Sequence, residues 1–189
     1  MIGKMARKKY IGDYETVVTA GKDGSEKKEI VYRGDYYEIS LDEAGLLQFK
    51  RNSLLLFAVI IILHIAGGFL NSRGMYQMYV AIPYALAFFP LLYLAEGILR
   101  LPKEKRKYRR DEIGNSFERM KTSSWVLFIF LGIGLLGEMI FLLFITDGNS
   151  ITLDMLFLLI EVLVVAAVYV LIHLQGKINP KVIEEKEQL

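Results

Sequence analysis

The sequence predicts an all-α membrane protein, a four-transmembrane-helix bundle with a small cytoplasmic β-rich N-terminal segment, and three observations carry that expectation. Four apolar runs, Ser53 to Asn71, Met75 to Leu99, Ser124 to Phe144 and Ile151 to Leu174, each approach the ~20 residues that cross a hydrocarbon core as helix. Of 23 Lys and Arg residues only Arg73 falls in the two short loops joining runs one to two and three to four. That asymmetry places both termini and the central loop on the cytoplasmic side. The third observation is the enrichment of Tyr, Val, Ile and Thr before the first run, in blocks separated by turn residues.

These features divide the 189 residues into a cytoplasmic N-terminal segment (1–50), a transmembrane domain (51–175) with a basic loop (100–122), and a charged tail (176–189). The net charge of +2 is distributed unevenly, with Arg73 opposed by Asp147 on the outer side and the remaining basic residues inside. A nucleic-acid role does not fit that distribution. Lys103, Lys105, Arg106, Lys107, Arg109 and Arg110 follow a span, where each charge near an anionic leaflet contributes about 1 kcal/mol. The chain has no cysteine, which excludes disulfides, zinc thiolates, iron–sulfur clusters and thiol nucleophiles. Met1 to Tyr10 is basic and lacks the apolar core of a signal peptide, so insertion is expected to begin with the first run.

Along the chain, Tyr10 to Ala20 and Glu29 to Arg33 read as strands, with Gly21-Lys22-Asp23-Gly24 supplying the turn between them. Gly34-Asp35 offers a second turn before Tyr36 to Ile39, giving an expected meander of three antiparallel strands. Ser40-Leu41-Asp42-Glu43 fits a capping box and starts a helix at Leu41, which runs along the interface or continues into span one. Spans one and two form a tight helical hairpin through Asn71-Ser72-Arg73-Gly74. Pro83 and Pro90 each remove a backbone hydrogen bond and kink span two. Lys105 to Glu112 carries some helix and Phe117 to Met120 lies at the interface. Gly176 and Pro180 stop span four, and Lys181 to Leu189 forms a mobile tail.

Ionisable groups within hydrocarbon are costly, which makes His64, Glu96, Glu138 and Glu161 the candidates for function. At 1.5 Å per residue from the cytoplasmic ends, His64 lies about 17 Å up and Glu138 and Glu161 about 21 Å. One level thus holds three groups from three helices, the candidate intramembrane polar site. Gly68 and Gly134, each four residues from a polar group, mark faces that allow close packing. Asp154, seven residues before Glu161, is a possible outer extension. Such a cluster serves either as a hydrogen-bonded helix contact or as a proton or cation site. Glu96, four before Arg100, reads as an i,i+4 ion pair. His173 snorkels to water. Metal binding by His64, Glu138 and Glu161 rests on no ligand spacing, and no cofactor is expected.

Gly132-Ile133-Gly134-Leu135-Leu136-Gly137 spells a dinucleotide fingerprint but lies within a span, where it reads as helix packing. Arg33-Gly34-Asp35 reads as a β-turn, and Tyr76, Tyr79, Tyr84, Tyr93 and Trp125 as interfacial anchors. With no metalloprotease, nucleophile-elbow or P-loop signature, no catalysis is expected. These features predict a noncatalytic accessory or regulatory subunit of a membrane complex, with a membrane-protein partner and the bilayer as its surroundings. The alternative is a small proton- or cation-coupled transporter, working as a homodimer, in the bacterial cytoplasmic membrane. Lipid handling is a third reading, drawn from the basic loop and the amphipathic Leu41 to Arg51 segment.

Overall fold

Four helices long and apolar enough to cross a membrane dominate the computed structural model, which describes residues 8–20, 26–144 and 151–183. They are α1 (Glu43–Gly68), the kinked pair α2 (Met78–Leu86) and α3 (Phe88–Leu99), α5 (Arg119–Phe144) and α6 (Thr152–Gln175). The short α4 (Arg110–Ile113) joins α5 through a single π-helical turn at Gly114–Glu118, making one continuous helical run from Arg110 to Phe144.

Asp42, not Ser40, caps α1. Its carboxylate accepts the Gly45 N–H at 2.9 Å, so the helix starts at Glu43. The predicted capping box gives way because a carboxylate three residues before a glycine reaches that N–H directly. A Cβ at Gly45 would lie 2.7 Å from the Asp42 Oδ1. The helix then continues without a break into the first apolar run. At its start Lys50 donates from Nζ to the Leu101 carbonyl at 2.5 Å and to Leu99 at 3.3 Å, closing the C-terminal end of α3 with a cation.

The kink between α2 and α3 falls at Ala87, three residues before Pro90, where the proline ring displaces the carbonyl of the preceding turn. Pro83 frees the Tyr79 carbonyl in the same way, and that carbonyl faces Gly137, whose hypothetical Cβ would stand 3.0 Å from it. Gly134 lies against Pro83 one turn further along, and Gly97 meets the Met120 backbone, its Cβ position 3.0 Å from the Met120 nitrogen. Glycine therefore lets α5 approach both halves of the kinked helix, the packing use expected of the Gly134 and Gly137 pattern. Gly132 faces open space.

This close approach overturns the expected hairpin of spans one and two. Helix α1 packs mainly on α6, α6 on α5, and α5 on α2 and α3. The bulky Tyr84 and Phe88 fill the space between α1 and the kinked helix and hold their backbones apart. The core runs through Leu91, Leu94, Ile98, Met120, Leu127, Leu131, Val164, Val168 and Leu171, all buried. One polar link crosses it, from Gln175 Nε2 to Ser124 Oγ at 2.8 Å.

Two small sheets replace the predicted meander. Strands β1 (Tyr14–Ala20) and β2 (Glu26–Tyr32) pair antiparallel from Tyr14↔Tyr32 to Ala20↔Glu26. The Gly21-Lys22-Asp23-Gly24 turn lies outside the described residues. Lys8–Asp13 forms a 3-10 helix, which delays β1 to Tyr14. Strand β3 (Tyr36–Glu38) turns away from β2 and sits between β4 (Tyr108–Arg109) and β5 (Lys181–Ile183). The Arg33-Gly34-Asp35 corner is pinned from behind: the Arg33 N–H donates to Asp13 O at 2.8 Å and its side chain pairs with Glu15 at 3.2 Å. With β2 pinned in this way, β3 finds its partners in the central loop and the tail. The predicted mobile tail is thus a strand over Lys181–Ile183, and residues 184–189 lie outside the described residues. Of Lys105 to Glu112, where some helix was expected, Tyr108–Arg109 is strand and the helix begins at Arg110.

Tyr32 joins the two sheets: its hydroxyl accepts the Arg110 N–H at 3.0 Å and donates to Asp35 O at 2.8 Å. Tyr14 and Tyr36 pack edge-on against its ring, and burial pushes the Tyr32 hydroxyl above the usual phenol range. Because β3 precedes α1, β4 follows α3 and β5 follows α6, the sheet gathers the start of α1 and the ends of α3 and α6 at one end of the bundle.

Adding a branched side chain at the α3–α5 contact overpacks it. Gly97→Val is expected to lower stability by about 1–3 kcal/mol, and Gly132→Val to leave it unchanged, in unfolding measured in detergent.

Candidate functional site

His64 lies on the face of α1 that meets α2, α3 and α6, and it is fully buried. Its ring stacks on Tyr84 with centroids 4.1 Å apart and meets Phe88 at 4.8 Å. The Tyr84 hydroxyl donates to the backbone carbonyl of His64. Gly68 makes room for that hydroxyl, since a Cβ there would stand 2.8 Å from it. On the other side Glu161 of α6 brings Oε1 to 3.9 Å from His64 Nδ1. This separation exceeds a hydrogen bond, and neither ring nitrogen nor Glu161 Oε1 has a hydrogen-bond partner among the described residues.

Glu138 of α5 is equally buried, but its immediate neighbours are different. The 3-10 turn Gly74–Tyr76 presses on its carboxylate, so closely that a Cβ at Gly74 would overlap it. Ser72, also fully buried, stands within electrostatic reach of both Glu138 and Asp154. Both Glu138 oxygens lack a hydrogen-bond partner among the described residues. Glu138 and Glu161 are near enough to interact electrostatically, so the two surroundings belong to one polar track.

Asp154 closes the end of that track beside the α1–α2 connection. It accepts the Arg73 N–H at 2.7 Å, Nε at 3.0 Å and Nη2 at 2.8 Å, a two-pronged guanidinium contact with a backbone bond added. The expected free extension at Asp154 is therefore occupied: Arg73 spends its charge on Asp154, and Asp147 lies outside the described residues.

The structure brings His64 and Glu161 together as the depth estimate indicates, and it turns Glu138 toward the α1–α2 connection. Among the described residues no three His, Asp or Glu side chains are spaced to hold a metal ion. Tyr84 was read as an interfacial anchor, yet it is buried at the centre of the site. Its position beside Pro83, far from either end of its run, is the signal that separates it from Tyr76 and Tyr79. Ser72, Gly74 and the Arg73–Asp154 pair carry no such signal, because each depends on how a short connection folds back.

Glu96 forms the predicted pair with Arg100 at 2.8 Å and also meets Arg119. Arg119 is buried against Tyr93, where an interfacial segment was expected over Phe117 to Met120. His173 is exposed, in keeping with snorkelling.

Comparison with protein-family models, with curated proteins and with solved structures finds no match.

Removing one partner of a buried ion pair strands the other. Arg73→Met is expected to cost about 3 kcal/mol, and the double substitution Arg73→Met with Asp154→Leu much less, when unfolding of the variants is compared in detergent.

Proposed function

We propose that the chain is a multi-pass integral membrane protein with both termini and the central loop cytoplasmic, and that its buried polar track couples a proton or cation to transport. The four apolar helices and the gathering of the basic loop, the tail and the N-terminal strands at one end support the topology. The observation that carries the transport reading is the buried pair of His64 and Glu161, 3.9 Å apart, with both ring nitrogens and Glu161 Oε1 lacking a hydrogen-bond partner among the described residues. A purely structural polar contact between helices forms hydrogen bonds, and among the described residues this one has none at either ring nitrogen or at Glu161 Oε1.

In this reading His64 and Glu161 are two seats for one proton, and Glu138 takes the next position toward the outer end. Tyr84 and Phe88 exclude water from the ring, and the Arg73–Asp154 pair seals the track on the other side. Release requires one of the packed faces to open, and the Gly74 turn lies directly against the Glu138 carboxylate. Four helices enclose little volume for a pathway, so the working unit is a homodimer.

Accessory-subunit function is the second reading, and a different observation favours it. Val18 and Ile30 lie on one face of the β1–β2 hairpin and are 52% and 58% exposed. An isolated two-stranded hairpin gains stability from a covering surface. The intramembrane carboxylates do not serve this reading, since their own chain encloses them and a partner's basic groups have no access.

In proteoliposomes under an imposed pH gradient, Glu161→Gln and Glu138→Gln are expected to reduce proton flux by about tenfold or more. Unchanged flux in both variants overturns the transport reading. A companion protein that copurifies from native membranes and is lost with Ile30→Asp would establish the subunit reading in its place.

A further inference from the structure

A cavity of about 500 Å3 opens beside the kinked helix, away from the buried track, between α3, the start of α5 and the 3-10 helix Lys8–Asp13. Its two ends differ chemically. One is formed by Lys9, Asn115, Glu118 and Arg119, at the end of the bundle where the sheet lies. The other is formed by Phe89, Pro90, Val126 and Phe130. Helices α3 and α5 run in opposite directions here, so Tyr93 stands beside Arg119 and Phe89 lies deeper. From Arg119 to Phe130 the helix rises about 16 Å. The apolar end is open sideways: Phe89 is 63% exposed and Val126 38%.

We propose that this cavity binds a phospholipid, with its phosphate between Lys9 and Arg119 and one acyl chain along Phe89, Val126 and Phe130. The inference rests on the membrane placement proposed above and not on proton coupling. Volume and shape fit this occupant: the cavity has the size of an ordinary small-molecule site, and its polar end carries the Lys9 and Arg119 cations beside the Glu118 carboxylate. Arg119 is held in place by Glu96 and by the Tyr93 ring, so its charge is fixed at the cavity wall. Lys9 is paired only loosely with Glu118, at 3.9 Å between two largely exposed side chains, and that contact costs little to exchange for a phosphate. The amide of Asn115 adds a neutral donor at the same end.

Local backbone accounts for the opening. The π-helical turn at Gly114–Glu118 widens the helix where the polar end forms. The Tyr10 hydroxyl sits directly on Gly114, where a Cβ would overlap it, and so floors the cavity from the N-terminal side. Pro90, which kinks the facing helix, lines the apolar half. A straight α3 and an unwidened α5 would close this space.

Native mass spectrometry of the full chain, released from detergent supplied with phosphatidylglycerol or with diacylglycerol of the same acyl chains, tests the assignment. The phospholipid is expected to remain bound at least about tenfold more than diacylglycerol, and Val126→Trp, which fills the apolar half, to remove it. Equal retention of both lipids overturns recognition of the phosphate, and retention by Val126→Trp overturns the cavity. A phosphatidylglycerol carrying a photoreactive acyl chain tests the unmodified protein independently of whether that variant folds. Labelling is expected within Phe89–Tyr93 and Val126–Phe130, and labelling confined to other segments overturns the proposal. Loss of lipid binding with proton flux intact, or the reverse, separates this inference from the transport reading.

Discussion

Backbone contact between α5 and the kinked α2–α3 pair determines where the remaining helices stand. Gly97 lies against the Met120 backbone and Gly137 against the Tyr79 carbonyl, with Gly134 facing the Pro83 ring, so α5 lies at the centre and α6 and α1 follow outward from it. In apolar surroundings helices gain little from hydrophobicity alone, and such close approach is the principal source of attraction between them. Proline acts with glycine here. Pro83 leaves the Tyr79 carbonyl without a helical donor, and that carbonyl lies where Gly137 is smallest. One carbonyl thus shows how a broken hydrogen bond and a missing side chain occur as a pair.

From this centre the polar groups acquire their positions. Glu138 sits one residue beyond Gly137, so the contact that draws α5 toward α2 also carries a carboxylate under the α1–α2 connection. Glu161 reaches His64 because α6 is wedged between α5 and α1. The cost of burying these groups is spread over a packing arrangement that is otherwise apolar. The Arg73–Asp154 pair offsets part of it beside the α1–α2 connection, where its three hydrogen bonds replace water.

Much of this was readable in the residues because hydrophobic length and glycine spacing are local properties. The four long helices, the kink, and the glycine faces of Gly134 and Gly137 all follow from a run of residues and their neighbours. Depth along a helix is a matter of counting, and it set His64, Glu138 and Glu161 at one level without singling out His64 and Glu161 as a pair. Glu138 was legible only in depth, since its direction depends on the Ser72 to Gly74 turn. Sheet partners were not legible: β3 is three residues long, and nothing within Tyr36–Glu38 names Tyr108 or Val182 as the residues across from Tyr37. Tyr84 was misplaced because its residue type suits a boundary, although its position beside Pro83 in mid-run pointed inward.

The sheet built from β3, β4 and β5 has a temporal meaning as well. Its middle strand is made before both of its partners, so β3 has an unfilled edge until α6 brings Lys181–Ile183 back to the same end. An open strand edge is a template for wrong partners. Closure of this one is therefore a latch on assembly: β5 can reach β3 only once α6 has returned to the end of the bundle where α1 starts and α3 ends.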